Sequence, residues 1–593
     1  MARYTIDRFI WSFQRHFCSN AKYSARSLFQ ALDPRFEPDV FLVGIIEAKK
    51  EGRHEACVQP EKEFWAKSER FEGLGETIEE LVKANPESQL MHSHPRMQTL
   101  AEERLLAQAI KQAIEITITK IDERPADRTF FVSFPRRKDG YWVSTVLSLQ
   151  SDLIEQYPNL LQSSFSIHDY RDIRINTGLI DACVTEFLDR MQAKLEQPRA
   201  GEGMEQINVD FTLSDAAAAF MSGISTRMNL EYGSRDLFRV FNTISSLHYE
   251  KAVGAGSFVI AKGKHLAVTD CLRFSSKQPL DSGRASRKLL ELASEQMPLH
   301  TDSSDIFGLC TVSGYDVEKE DLFFVNVTGH QEWELRHAGV CLMTVKFGRP
   351  SLPSLGLDVD KLRFDLGRLF PDINNQQVED LIALIKQAQT EAHGTMLLIS
   401  DAAEAEAKRL STQATPVDPI QLAPDLLAHL TAIDGAVILS PEGSCYAIGG
   451  ILDGLACEEG DPSRGARFNS AIRYVKSSKA NCLAVVVSED GGTTFIPDLP
   501  TPIKRADVDR HLATLREINS EGSFSKRRFN ESREWIKQRQ FYLLQEDCDL
   551  LNEILPSLNE MHFRDSDLKI IDGHVYKQHQ AMDPNYFYLE SLD

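Results

Sequence analysis

The chain has 593 residues, room for roughly three or four domains of ordinary size, each with its own apolar core. Its 66 Lys plus Arg stand against 87 Asp plus Glu, and the formal charge of −21 disfavours a broad surface for the phosphates of a long nucleic acid, so any nucleotide handled is small and held locally. No segment approaches the ~20 apolar residues of a bilayer span, the start MARYTIDRFIWSFQRHF has no small-residue cleavage site, and the 10 cysteines stand singly, so the expectation is a cytoplasmic protein without membrane contact, zinc ribbon or disulfide framework.

An N-terminal α/β domain is expected over 1–195. An aromatic-rich helical pattern opens it, followed by the compact apolar run DVFLVGIIEA, suited to a buried strand. TLAEERLLAQAIKQAIEITITKI reads as a long helix running into a β-branched strand, and RTFFVSFPRRKDGYWVSTVLSL as two strands around a K-D-G turn. The polar stretch 193–206, with a Pro and two Gly, reads as a linker. A middle α/β domain over 207–350 carries helices at SDAAAAFMSGISTRM and SRDLFRVFNTISSLHY and strands at SFVIAKGKHLAV, DLFFVNVTG and GVCLMTVKFG.

The most regular block is 356–500. It reads as a helix NQQVEDLIALIKQAQTEAH, a buried strand GTMLLIS, helices DAAEAEAKRLS and APDLLAHLTAI, and strands AVILSP and SCYAIGGIL around an E-G turn. GARFNSAIRYVKSSKA then gives a helix and CLAVVVSEDGGTTFIPD two further strands. Residues 501–593 are charged and helical, an extension expected to pack on the rest of the chain or on another subunit. The fold expected is thus multidomain α/β, the C-terminal third holding a central mixed sheet flanked by helices and followed by a helical tail.

Three clusters of this block lie at element ends, where sites are commonly built. Asp434, Gly435 and Ala436 stand at a helix-to-strand turn, Gly465 to Ala471 enter a helix, and Ser488 and Glu489 leave the strand LAVVV. Gly435 and Ala436 carry so little bulk that a ligand can approach the backbone, while Asp434 suits a divalent metal or a hydroxyl. A helix N-terminus after GDPSRGA offers N–H groups to an anion, Arg467 adds a charged fork, and Glu489 a second hard oxygen ligand. These are the parts that phosphoryl transfer needs: held phosphates, a cation and an oriented nucleophile. The same pattern also fits a D-G hairpin signal and a solvated arginine.

The order of these elements and motifs resembles the DAC (DisA_N) domain of the diadenylate cyclase family, over roughly residues 370–500. That family reads D-G-A at the first cluster, G-T-R-H-R-A-A at the second and commonly V-V-S-E-E at the third. The resemblance implies one ATP, or another NTP or dNTP, per domain. It also implies Mg²⁺ or Mn²⁺ as cofactor and two domains facing each other in a homo-oligomer, so that each 3′-hydroxyl attacks the other nucleotide's α-phosphate to give a dinucleotide second messenger. By that likeness Asp434 and Glu489 are the catalytic, metal-holding acids. Gly435, Ala436, Leu452, Gly465, Arg467, Asn469, Ser470 and Ser488 line the nucleotide, the backbone near Leu452 meeting the base. The chain departs from the family at Ala466, Phe468 and Asn469, which replace Thr, His and the second Arg. A lost charged hydrogen bond to phosphate, about 1.5–3 kcal/mol, weakens binding without abolishing it, and Arg464 or Arg473 are the nearby substitutes. Two readings stand: a nucleotidyltransferase making a cyclic or linear dinucleotide, and a catalytically impaired nucleotide sensor whose upstream blocks pass its occupancy to an effector protein in signalling or defence.

Three other patterns carry chemistry. MHSHPRMQT, with His92, His94 and Glu47, resembles the zinc-binding H-S-H-P of JAB/MPN metalloproteases, yet ERLL stands where the third ligand should follow, so a polar loop entering a helix is expected. GHQEWELRH, with His330 and His337, is expected as a surface hairpin, and FPRRKDG as a solvated basic loop.

Overall fold

The computed structural model describes residues 10–48, 53–61, 66–89, 91, 93–121, 124–166, 172–228, 236–249, 255–354, 357–390, 394–455, 457, 465–487, 492–520, 525–562 and 574–587. The chain divides into two compact units, Met1–Pro353 and Ser354–Asp593. Among the described residues no helix is long and apolar enough to cross a membrane.

The first unit holds two large sheets. In the first, Ala56–Gln59, Asp39–Ile46, Tyr141–Gln150 and Arg128–Val132 lie side by side, antiparallel, and Arg136–Lys138 also pairs with Tyr141–Gln150. The K-D-G hairpin is present, with Asp139 and Gly140 both at positive φ (48° and 85°), the conformation that lets a two-residue turn follow the strand twist. The helix Pro95–Lys120 continues through ITITK, where a strand was expected. Its apolar side chains explain why: Ile110, Ile114 and Ile118 recur every four residues and are buried together, so packing overrides the β preference of Ile and Thr. The helix Leu179–Leu195 runs into the stretch 193–206 expected as a linker, residues 196–208 connect it to the helix Val209–Arg227, and the buried Ala200 accepts a 2.7 Å hydrogen bond from Trp11 Nε1.

The second sheet of this unit has eight strands. Within it Phe323–Gly329 and Glu332–His337 form the expected hairpin, but not at the surface: Trp333 is buried and its Nε1 donates to Asn242 Oδ1 at 2.8 Å. The outermost strand, Val268–Pro279, carries no alternation because nearly all of it is exposed, and the sequence gives no sign of it.

The second unit is built on a six-stranded mixed sheet ordered Thr415–Gln421, Ser444–Gly450, Ala436–Leu439, Thr395–Ser400, Cys482–Val487, Thr493–Ile496. Thr395–Ser400 runs parallel to Ala436–Leu439 and antiparallel to Cys482–Val487. Alternate residues feed two cores. Leu397, Ile399, Val437, Leu439, Leu483 and Val485 pack under the helices Val359–Leu369, Asn375–Gln389 and Pro424–Leu430. Met396, Leu398, Ala436, Ile438, Ala484 and Val486 face the helices Ala403–Arg409 and Ala466–Ser477. With both faces covered, the central strands are apolar throughout, which is why TMLLIS, AVIL and CLAVVV stand out in the sequence. The helices Arg505–Ser520, Lys526–Gln538 and Gln545–His562 follow, and the first two and the third share a core of their own, with Leu512, Phe529 and Leu551 fully or almost fully buried.

Candidate functional site

The register of the six-stranded sheet brings several chain segments to one end. Thr395 pairs with Val487, Met396 with Ala436, and Ala436 with Gly450. Asp434 therefore leads into its strand beside the point where residues 451–455 leave theirs.

The junction is sterically tight. Gly435 has φ +118°, and a Cβ on it would lie 2.5 Å from the carbonyl carbon of Gly449. Gly449 is itself at φ +62°, and a Cβ there would meet Ile433 Cγ2 at 2.8 Å. Ala436 is fully buried in the core. The smallness expected to admit a ligand is thus used by backbone packed on backbone, with no space left above Gly435 on that side. The consequence for the acid is direct. Asp434 is left exposed at the rim, with Gly435 N–H donating to its Oδ1 at 3.1 Å.

The helix Ala466–Ser477 begins at Gly465, an N-cap in extended conformation that has no side chain of its own to cap the helix. Arg467, in its first turn, reaches across 33 positions of sequence and donates from Nη2 to Asp434 Oδ1 at 2.9 Å. Its Nε–H is buried without a partner among the described residues. Acid and guanidinium therefore converge. The other residues of this segment behave differently. Asn469 Nδ2 donates to Gly465 O at 3.3 Å and Ser470 Oγ to Arg467 O at 3.0 Å, so both bond back along their own helix. Phe468 packs against the core. Leu452 is buried in that same core, so only its backbone is available to a ligand. Ser488, Glu489 and Arg464 lie outside the described residues.

The donor set fits a small hard cation. The hydrogen bonds among the described residues reach only Oδ1 of Asp434, leaving Oδ2 for a metal, and Mg²⁺ is commonly held by one or two carboxylates together with substrate phosphates. Among the described residues no group of three or more His, Cys, Asp and Glu side chains is arranged as a self-sufficient metal cage.

A cluster close by had no sequence signal. Arg409, Glu406, Asp453 and Tyr474 come from two helices and a loop; on its own, the charged helix AEAEAKR reads as a solvated face.

The remaining patterns resolve as structural groups. His94 caps the helix Pro95–Lys120, its Nδ1 accepting from Arg96 N at 3.2 Å, and Glu47 pairs with Arg137 Nε at 2.7 Å; His92 lies outside the described residues. His337 is buried with Nε2 3.1 Å from Tyr315 Oη, and His330 lies at the turn of the hairpin. The basic stretch FPRRKDG is not a solvated loop. Arg136 pairs with Glu196, Arg137 stacks over Trp142, and Lys138 is buried with Nζ donating to the carbonyls of Gln197 and Pro198 at 2.5 and 2.9 Å.

Residues 383–496 match the family model DAC, described as the DisA bacterial checkpoint controller nucleotide-binding domain. Upstream, residues 10–221 match a model described as probable sensor domain DACNG and residues 235–339 one described as probable sensor domain DACNH. Among solved structures, a double cysteine mutant of DacA from Staphylococcus aureus is similar at 20% identity, covering 21% of this chain and 83% of that one, with a TM-score of 0.18. No curated protein matches.

Proposed function

Since residues 383–496 form a DAC domain downstream of two segments that match sensor-domain models, we propose that the chain is a metal-dependent nucleotidyltransferase of the diadenylate-cyclase type, joining nucleoside triphosphates into a cyclic or linear dinucleotide. The observation that carries this reading is the meeting of Asp434 and Arg467 at 2.9 Å, in the first turn of a helix. A carboxylate and a guanidinium so placed serve opposite ends of one task. Arg467 and the first N–H groups of its helix hold phosphate oxygens, and Asp434 Oδ2, with Glu489, holds the cation that accompanies them. Mg²⁺ or Mn²⁺ supplies charge neutralisation on the phosphates when bound. In the reaction the 3′-oxygen of one nucleotide bonds to the α-phosphorus of another, the bond from that phosphorus to the bridging oxygen breaks, pyrophosphate leaves, and the hydroxyl proton is lost to water. Two domains must face each other for this, so a homo-oligomer working in the cytoplasm belongs to the reading. The sensor-like blocks would set its output.

A second reading has a specific observation in its favour. Phe468 is packed into the core and Asn469 bonds back to Gly465, so two positions that carry His and Arg in the family offer this site no charge. That favours a domain that binds nucleotide and reports occupancy without turnover. Incubation of the full chain with each NTP and dNTP plus Mn²⁺, with products resolved by mass spectrometry, separates the two. A dinucleotide made by the wild type and not by Asp434→Asn supports the enzyme; measurable nucleotide binding with no product from any substrate overturns it.

A further inference from the structure

The loop 451–455, which leaves the sheet beside Asp434, is fastened from two sides. From one side, Arg409, in the last turn of the helix Ala403–Arg409, grips Asp453 with both terminal nitrogens: Nη1 to Oδ2 and Nη2 to Oδ1, each 2.7 Å. From the other, a Cβ on Gly454 would sit 2.5 Å from the carbonyl carbon of Arg473, and Leu455 N donates to Ser477 Oγ at 3.1 Å, so the loop lies directly on the helix Ala466–Ser477. The same guanidinium joins the two fastenings. Its Nη2 also donates to Glu406 Oε2 at 2.7 Å, and that oxygen accepts the hydroxyl of the buried Tyr474 at 2.6 Å. Tyr474 lies seven residues beyond Arg467 on one helix, which is two turns along the same face.

Surface position makes this arrangement a poor source of stability. The Arg409 and Asp453 side chains are 45% and 47% exposed, and exposed ion pairs contribute little. Geometry is where it excels. A planar fork that holds one carboxylate bidentately and a second from its other edge fixes angles as well as distances, which a lysine cannot do. What it fixes is the separation between the loop carrying Leu452 and the helix carrying Arg467. Burial, countered by hydrogen bonds from Arg409 and Tyr474, leaves the Glu406 carboxyl below the usual carboxylate range, and the Arg409 contact does the same for Asp453, so both acids stay ionised and keep the fork engaged near neutral pH.

We infer that Arg409 is a positioning residue of the nucleotide site, setting the loop 451–455, which the family resemblance puts against the base, at a fixed distance from the helix that carries Arg467 and thereby deciding which nucleobase is accepted. This rests on the nucleotide-binding reading of the domain. A nucleotide held at its phosphates by one element and at its base by another is selected by the distance between them, so a loosened loop admits the wrong base more easily.

The test measures binding of ATP and GTP, each with Mn²⁺, to the full chain by titration calorimetry, for wild type, Arg409→Gln, Arg409→Lys and Asp453→Asn. Arg409→Gln and Asp453→Asn are expected to weaken the preferred nucleotide about tenfold and to shrink the ratio of the two affinities, with melting temperatures close to wild type. Arg409→Lys is expected to recover only part of the ratio, since charge without the fork does not set the angle. Asp453→Asn leaves the Arg409–Glu406–Tyr474 contacts in place, so it keeps the question open to measurement if Arg409→Gln misfolds. Variants that bind as wild type does, with the ratio unchanged, overturn the role of Arg409 alone. A wild type that binds neither these nor any other NTP or dNTP removes the nucleotide reading itself.

Discussion

Arg227 and Glu320, 93 positions apart, form an ion pair that is closed to water: Nη1 lies 2.5 Å from Oε2, and the side chains are 0% and 3% exposed. The carboxylate also accepts from Leu161 N at 2.6 Å and Gln162 N at 3.0 Å, while Arg227 Nη2 donates to Gln162 O. Three separate stretches of the first unit are thereby tied to one charge pair. Arg227→Met leaves a buried carboxylate without its partner, which costs about 3–5 kcal/mol. Adding Glu320→Gln removes the stranded charge and is expected to recover a large part of that loss. Urea unfolding followed by tryptophan fluorescence reads both; a single variant as stable as wild type would show the pair to be dispensable.

Gly435→Ala is expected to disrupt the proposed site through the backbone. The substitution forces a side chain into a positive-φ position, at about 1–3 kcal/mol, and drives its Cβ into the Gly449 carbonyl group, which belongs to main chain and has little freedom to withdraw. Hydrogen exchange should show faster opening of Ala436–Leu439 and Ser444–Gly450, with the tail helices unaffected. Equal protection in both proteins would contradict the packing described.

Asp434→Asn and Arg467→Ala should separate two tasks. Removing the guanidinium takes away a charged hydrogen-bond donor to phosphate and is expected to weaken triphosphate binding about ten- to a hundredfold. Asp434→Asn keeps the fold and is expected to abolish synthesis while retaining most metal-free nucleotide binding. A fully active Asp434→Asn protein would mean that the carboxylate has no part in the chemistry.

Acid should loosen the first unit through Asp33. Burial pushes this carboxyl up, but hydrogen bonds from Arg35, including Nη2 to Oδ2 at 2.6 Å, and from Tyr157 Oη at 2.6 Å outweigh it and hold it below the usual carboxylate range. A depressed folded value means stability that is present above the unfolded pKa of about 3.9 and lost as pH falls through the folded one. The stability gap between wild type and Asp33→Asn should therefore be full near pH 7 and close as the pH drops below about 4. A gap that is constant with pH would rule this linkage out.

The central sheet of the second unit, and the motifs at the ends of its strands, are legible in the amino-acid sequence alone. TMLLIS, AVIL and CLAVVV are apolar throughout because both faces of their strands are covered, so composition alone reveals them. Asp434 and Arg467 were legible because a short acid-Gly-Ala turn and a first-turn arginine are local patterns. Two edge strands are not legible in the sequence. TPVDPIQ carries two prolines and is almost wholly exposed, and Val268–Pro279 is exposed along its length, so neither bears the imprint of a core. ITITK was misread for the converse reason: its β-branched residues favour a strand locally, and only contacts with distant strands make it a helix. Only in the folded chain is Gly435 small for the sake of Gly449, Lys138 buried, and Arg409 spread between Asp453 and Glu406. Each of these depends on groups that become neighbours only when the chain closes. A residue's sequence context fixes what it prefers, whereas its partners across the fold fix what it does.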